Sequence, residues 1–271
     1  MAHIGVIRAL DEASIPIDLI GGTSAGGLVA AQHAMGHGPA EIGERTHKAF
    51  VEHDPFHSYT IPIVSIVGER RMQEMSADLF GDVLIEDLWT PFFCVSCNIS
   101  TTETVVHRSG LVREAARATS ALPGIAVPVV RNGHLLVDGG VVDNLPGTTA
   151  RALSGGHVIL VDVSPEQDLL VDSDSLPRAG EILWSWMAPH KESLQVPTIG
   201  DVIVRTLVLS SVKRREEARE LGILVLRPPV QPFGMLEFTS FKAIVEAGYR
   251  DATERIAEWP ERAQYAEPAA T

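Results

Sequence analysis

The sequence predicts an α/β fold, a three-layer sandwich with helices on both sides of a mainly parallel central sheet. Two observations carry this. Short strand-like runs alternate with helical patterns along the whole chain, the order that builds such layers. One of those runs, HVILVDVS at 157–164, is almost continuously apolar, as a strand buried on both faces must be.

The elements follow in order. Ile4, Ile7 and Leu10 recur at helical spacing, which predicts a helix over 2–13. Residues 15–20 read as a short apolar strand entering a glycine turn, and 24–35 as a second helix stopped at Gly36. Helical patterns return at 40–50 and 69–80, separated by a long apolar loop with two prolines at 51–68. Phe92–Ile99 and Thr104–His107 read as strands, and 111–119 as a helix. Val127–Val130 and His134–Val137 flank Asn132-Gly133, a hairpin signal. A helix capped by Asn144 ends at Gly155 before the 157–164 strand, and an acidic loop covers 165–178. Helices are expected near 179–188, 199–220 and 239–257, with a strand at Ile223–Leu226. No internal repeat is visible. The whole chain, 1–271, is expected to form a single catalytic domain, with the helical part at about 179–257 packed on it.

Composition narrows the partners. Lys and Arg number 22 against 35 Asp and Glu, a net charge of −13. That balance argues against nucleic acid and against electrostatic docking on anionic lipid, but not against hydrophobic contact with a membrane. Hydrophobic residues make up 45% and aromatic residues 6%, so the core must be mainly aliphatic. Cys94 and Cys97 fall on opposite faces of a strand and read as buried structural thiols. No secretory leader is apparent, and Leu19–Ala40 is too rich in glycine and polar residues to span a bilayer. A reducing, cytoplasmic location is expected, with room for peripheral contact with a membrane.

Gly22-Thr23-Ser24-Ala25-Gly26 is G-x-S-x-G between an expected strand and an expected helix. In that context the motif reads as a nucleophile elbow. A sharp turn holds Ser24 in a strained backbone region, and the flanking glycines Gly22 and Gly26 avoid collisions there. The helix N-terminus favours developing negative charge at the hydroxyl. An N-cap serine in a tightly packed turn is the plainer alternative. A phosphate-binding loop would need the Lys-Ser/Thr ending that GGTSAGG lacks.

A serine nucleophile needs a base. His157 and His190 follow it in the chain without a supporting setting. The earlier histidines, His33, His37, His47, His53 and His57, are scattered and form no metal-binding pattern, so neither a metal nor a cofactor is expected. Asp138 is the better candidate: it ends a strand in HLLVDGGVVDNLPG, and Gly139 and Gly140 would form a constrained turn that aims the carboxylate. A simple Asp-Gly turn remains the alternative. Asp143 competes, but the residues after it read as a helix start.

The stretches AHIGVIRALDEASIPIDLIGGTSAGG, FFCVSCNISTTETVVH, ATSALPGIAVPVV, GHLLVDGGVVDNLPG and LRPPVQPFGMLEFTSFKAIVEAGY resemble patatin-like phospholipases. More specifically, they resemble the branch that includes neuropathy target esterase and its bacterial relatives. This implies a patatin-like fold and a Ser24–Asp138 dyad without histidine. It also implies hydrolysis of fatty-acyl esters in phospholipids or lysophospholipids. Members carry a glycine-rich oxyanion loop and a first strand just before the helix that begins A-H-I-G-V. Here Met1 directly precedes Ala2, so the sheet is expected to lack that strand, and the Ala25 amide is the oxyanion donor left to consider. Two functions stay open: an acyl hydrolase, or a lipid-binding or regulatory module impaired in catalysis. In the loop at 51–68, Phe56, Tyr59, Ile61, Ile63, Val64, Ile66 and Val67 could wall an acyl pocket, touch a bilayer, or pack in the core.

Overall fold

The computed structural model describes residues 1–52, 60–61, 63–164, 199–233 and 239–265. Helix α1 (Ala2–Glu12) buries Ile4, Val6, Ile7 and Leu10 along one stripe. The strand expected at 15–20 begins only at Ile20, and β1 is Ile20–Thr23. Pro16 has no amide for a ladder, and Ile15 is instead buried in a cluster with Leu10 and Leu226. Helix α2 (Ala25–Ala34) follows at once and closes at Gly36, whose φ of +92° lets its amide return to the His33 carbonyl at 2.8 Å.

Helix α3 (Pro39–His47) runs into a π-helical turn at Lys48–Glu52. Helices α4 (Glu69–Phe80) and α5 (Val112–Thr119) fall where the periodicity places them. With α2 they cover one face of β2 (Phe92–Asn98) in a core that includes Leu28, Met75, Leu79, Phe92, Cys94 and Val112. Phe93, Val95 and Cys97 alternate to the other face and are equally buried. The two cysteines therefore do lie back to back, and burial pushes both thiol pKa values up.

The principal sheet is mixed rather than mainly parallel. Strand β1 pairs with β2 in parallel, while β3 (Glu103–His107) and β5 (His134–Asp138) pair with β2 antiparallel, and β4 (Val129–Arg131) pairs antiparallel with β5. The turn at Asn132-Gly133 has φ of 52° and 78°, the left-handed pair of a two-residue hairpin. Hairpins return the chain antiparallel, whereas a parallel neighbour needs a helical crossover. The sequence between β2 and β5 carries two tight returns, and this is why the sheet departs from the expectation.

Register explains how distant residues meet. Strand β3 occupies one edge of β2, so β1 and β5 share the other edge. On that edge β1 pairs with Phe92–Val95 and β5 with Ser96–Asn98, and the two run towards each other. Their C-terminal ends therefore abut, Thr23 opposite Val95 and Asp138 opposite Ser96.

Helix α6 (Gly147–Ser154) starts later than expected and ends at Gly155 with φ of 66°. Asn144 does not cap it; its side chain donates to Ser211 Oγ at 2.7 Å. The strand expected over 157–164 is shortened to β6 (Ile159–Val161), because its parallel partner β7 (Leu224–Leu226) is itself cut short before Pro228. Helix α7 (Ile199–Glu220) precedes β7, and α8 (Phe241–Ala257) returns to α1. A Cβ on Gly5 would lie 2.0 Å from the Val245 carbonyl oxygen, and one on Gly248 2.1 Å from that of Ala2. The two helices thus touch backbone to backbone only because both positions are glycine. The loop expected at 165–178, the helix at 179–188, His53, Phe56, His57, Tyr59 and His190 lie outside the described residues.

Candidate active site

Ser24 links β1 to α2 without an intervening residue. Its φ of 53° and ψ of −128° belong to a region that residues with side chains rarely adopt. Three contacts hold it there. The Ser24 amide donates to Thr119 Oγ1 at 3.0 Å, and the Thr119 hydroxyl in turn donates to the Val95 carbonyl. Thr23 Oγ1 donates to the Asp143 carbonyl at 2.7 Å. The glycines make the turn possible. A Cβ on Gly22 would sit 2.9 Å from the Gly26 carbonyl carbon, and one on Gly26 would press on the His3 ring at 3.3 Å.

Asp138 ends β5 and is 1% exposed. Its amide donates to the Ala121 carbonyl at 2.8 Å, and its Oδ1 accepts from the Gly140 amide at 2.8 Å. Gly139 must be glycine, since a Cβ there would lie 2.2 Å from the Val95 carbonyl oxygen and 3.0 Å from Thr23 Cγ2. The Gly140 carbonyl is tied to α7 by Ser210 Oγ at 3.0 Å. Burial pushes the Asp138 carboxyl up to about 6, with the Ser24 hydroxyl and the Gly140 amide pulling it down as hydrogen-bond donors. Oδ2 is nevertheless buried without a donor at full hydrogen-bond geometry. Ser24 faces the carboxylate in a contact looser than a formed hydrogen bond.

The other residues separate. Ala25 is exposed and opens α2, so its amide has no intrahelical acceptor and is free to face a substrate oxygen. Asp143 is buried but held in an ion pair, 3.2 Å from Arg214 Nε. His157 lies against the Trp259 ring, 5.9 Å between centroids. Sequence reasoning missed Thr119, Ser210 and Asn144 as supports of the two turns, because each acts across the fold and no local pattern marks it. Asn144 Nδ2 and Ser164 Oγ both converge on Ser211 Oγ, at 2.7 and 2.9 Å, beside the turn that carries Asp138.

No helix of the described residues is long and apolar enough to cross a membrane. The lysophospholipase NTE1 of Mycosarcoma maydis is 36% identical to this chain over 274 aligned residues, 95% of this chain and 14% of that protein. The patatin-like phospholipase domain-containing protein 6 of Homo sapiens is 33% identical over 92% of this chain and 19% of that protein. The chain thus spans less than a fifth of the length of these relatives. The crystal structure of VipD from Legionella pneumophila superposes with a TM-score of 0.51 at 14% identity, over 95% of this chain and 64% of that one, a likeness of fold. The family profile described as patatin-like phospholipase matches residues 1–151, more than half of the sequence and both turns of the site, and the chain belongs to that family.

Proposed function

We propose that the protein is a serine hydrolase that releases fatty acid from phospholipid or lysophospholipid through Ser24 and Asp138. The observation that carries the reading is the pairing of a serine held at φ 53° with a fully buried carboxyl raised to about 6 at the meeting point of two strand ends. A raised carboxyl is a better base near neutral pH than a solvated aspartate, whose pKa is about 3.9. Catalytic contacts tighten when substrate binds, which suits the loose Ser24–Asp138 contact.

In the first step Asp138 takes the hydroxyl proton as Ser24 Oγ bonds to the ester carbonyl carbon. The carbonyl electron pair moves to oxygen, beside the Ala25 amide and the N-terminus of α2. Collapse breaks the ester C–O bond, and the Asp138 proton passes to the departing alkoxide. Water then repeats the sequence on the acyl-enzyme: Asp138 accepts its proton, the acyl carbon takes its oxygen, and the proton returns to Ser24 as the fatty acid leaves.

The lipid reading draws further support from the loop before α4. Ile61, Ile63 and Val64 are 78%, 85% and 61% exposed. The Ile66 amide donates to the Gly124 carbonyl at 3.0 Å and the Val67 amide to that of Ile125 at 2.8 Å. The same segment supplies the Ala121 carbonyl that anchors Asp138, so the apolar loop is fastened beside the site.

An organophosphonate probe should label Ser24 and fail to label Ser24→Ala. The wild-type chain should release fatty acid from lysophosphatidylcholine, with loss of at least about 1000-fold in the variant. Labelling that persists in Ser24→Ala sinks the assignment. Fatty-acid binding without any turnover would identify a lipid-binding module instead.

A further inference from the structure

His107 is buried at the end of β3 with a polar partner on each ring nitrogen. Ser96 Oγ lies 2.7 Å from Nε2, and Arg131 Nη1 lies 3.1 Å from Nδ1. A guanidinium can only donate. Nδ1 is therefore an acceptor, and in a neutral ring the hydrogen must sit on Nε2. Burial and the Arg131 charge hold the His107 pKa down at about 4, so the ring is neutral at physiological pH. Nε2–H then donates to Ser96 Oγ, and the Ser96 hydroxyl hydrogen must go to a third group.

Register identifies that group. Ser96 is fully buried and pairs directly with Asp138. The Ile99 amide bonds to the Leu135 carbonyl at 3.0 Å, which sets the alternation and makes Ser96–Asp138 a non-hydrogen-bonded pair. Pairs of that kind share a face and approach most closely, with Cα atoms about 4.5 Å apart. Asp138 Oδ2 is a buried acceptor without a full donor, on the side chain opposite Ser96.

We propose that Arg131, His107 and Ser96 form a one-way chain of donors that reaches the Asp138 carboxylate through one water and holds it facing Ser24. The proposal rests on Asp138 acting as the base for Ser24. Ser96 and His107 are positioning residues, since neither touches the reacting atoms. Arg131 sits on the exposed β4–β5 hairpin, so a surface residue fixes the tautomer of the buried ring it touches.

Few other charges act on Asp138. Strands β1 and β2 carry no acidic or basic side chain. On α5, Arg113 pairs with Asp82 and Arg117 with Glu69, and on α7 Arg214 pairs with Asp143. A shift in Asp138 titration on changing Arg131 or Ser96 therefore reports the donor chain.

The test uses nitrogen-15 NMR of the imidazoles and carbon-13 NMR of the aspartate carboxyls in the full chain, beside the pH dependence of kcat/KM for lysophosphatidylcholine. Wild type should show a neutral His107 with its hydrogen on Nε2, and Arg131→Met should populate the Nδ1–H form. Ser96→Ala and Arg131→Met should each raise the Asp138 midpoint, by about 0.5–1 pH unit for Ser96→Ala, and carry the acid limb of kcat/KM with it. At a pH below that limb, activity should fall about 3- to 10-fold relative to wild type. Ser96→Thr should restore both midpoint and limb. A purely structural role would lower stability without moving either. A wild-type His107 protonated on Nδ1, or an Asp138 midpoint unchanged in both variants, overturns the donor chain. The carboxyl titration needs no turnover, so the chain can stand even if the hydrolase reading falls.

Discussion

At the scale of the residue, Asp138 carries a cost that the proposed mechanism would explain. Its folded pKa of about 6 lies above the ordinary value of 3.8. The folded state therefore holds this proton more tightly than the unfolded state, and stability falls as pH rises between those values. Above both, the buried charge costs the fold about 3 kcal/mol, taking 1.36 kcal/mol per pH unit. Asp138→Asn should keep the bond from the Gly140 amide, lose hydrolysis, and be more stable than wild type at pH 8 by up to about 3 kcal/mol. The difference should vanish near pH 4; denaturant unfolding of both proteins at the two pH values checks it. In wild type, kcat/KM should fall below about pH 6 as the base takes up a proton. Ser24 and Asp138 could be picked out as candidates in the sequence because each sits in its own short glycine motif. Ser96, His107, Thr119 and Arg131 could not. Their roles arise from which strands lie side by side, and a lone histidine in VVH carries no hint of a neighbour eleven positions away on the opposite strand.

At the scale of the element, helices were read closely and strands less so. Apolar spacing of 3.6 marks a helix over many turns, and α1, α2, α4 and α5 all begin and end near their expected limits. A strand's length depends on its partner, which sequence does not display; hence β6 shrank to match β7, and the run at 15–20 lost its first residues to Pro16. The direction of pairing was equally hidden, and the mixed sheet proved to be the device that brings β1 and β5 end to end. Gly139 is the wedge at that junction. Gly139→Ala would force a methyl group onto the Val95 carbonyl, which cannot yield without disturbing the bond it accepts from the Thr119 hydroxyl. Overpacking of this kind costs about 1–3 kcal/mol, and activity should drop further because Asp138 moves with the turn. Thermal unfolding and fatty-acid release measured together separate the two effects.

At the scale of the whole molecule, a net charge of −13 and an exposed aliphatic loop point the same way. Lipid contact through Ile61, Ile63 and Val64 should be driven by apolar burial and repelled by anionic headgroups. Sedimentation with uncharged phosphatidylcholine vesicles should persist at high salt, weaken with added phosphatidylserine at low salt, and be reduced several-fold by Ile63→Asp. Binding that grows with anionic lipid would contradict this. The glycine crossing of α1 and α8 has a different reach. Tyr249 Oη bonds to Glu12 at 2.6 Å across 237 positions of sequence. A helix synthesised well before α8 thus waits with its apolar stripe uncovered until α8 has cleared the ribosome. Nascent chains halted before Phe241 should therefore be captured by ribosome-associated chaperones, and those halted well beyond Ala257 released.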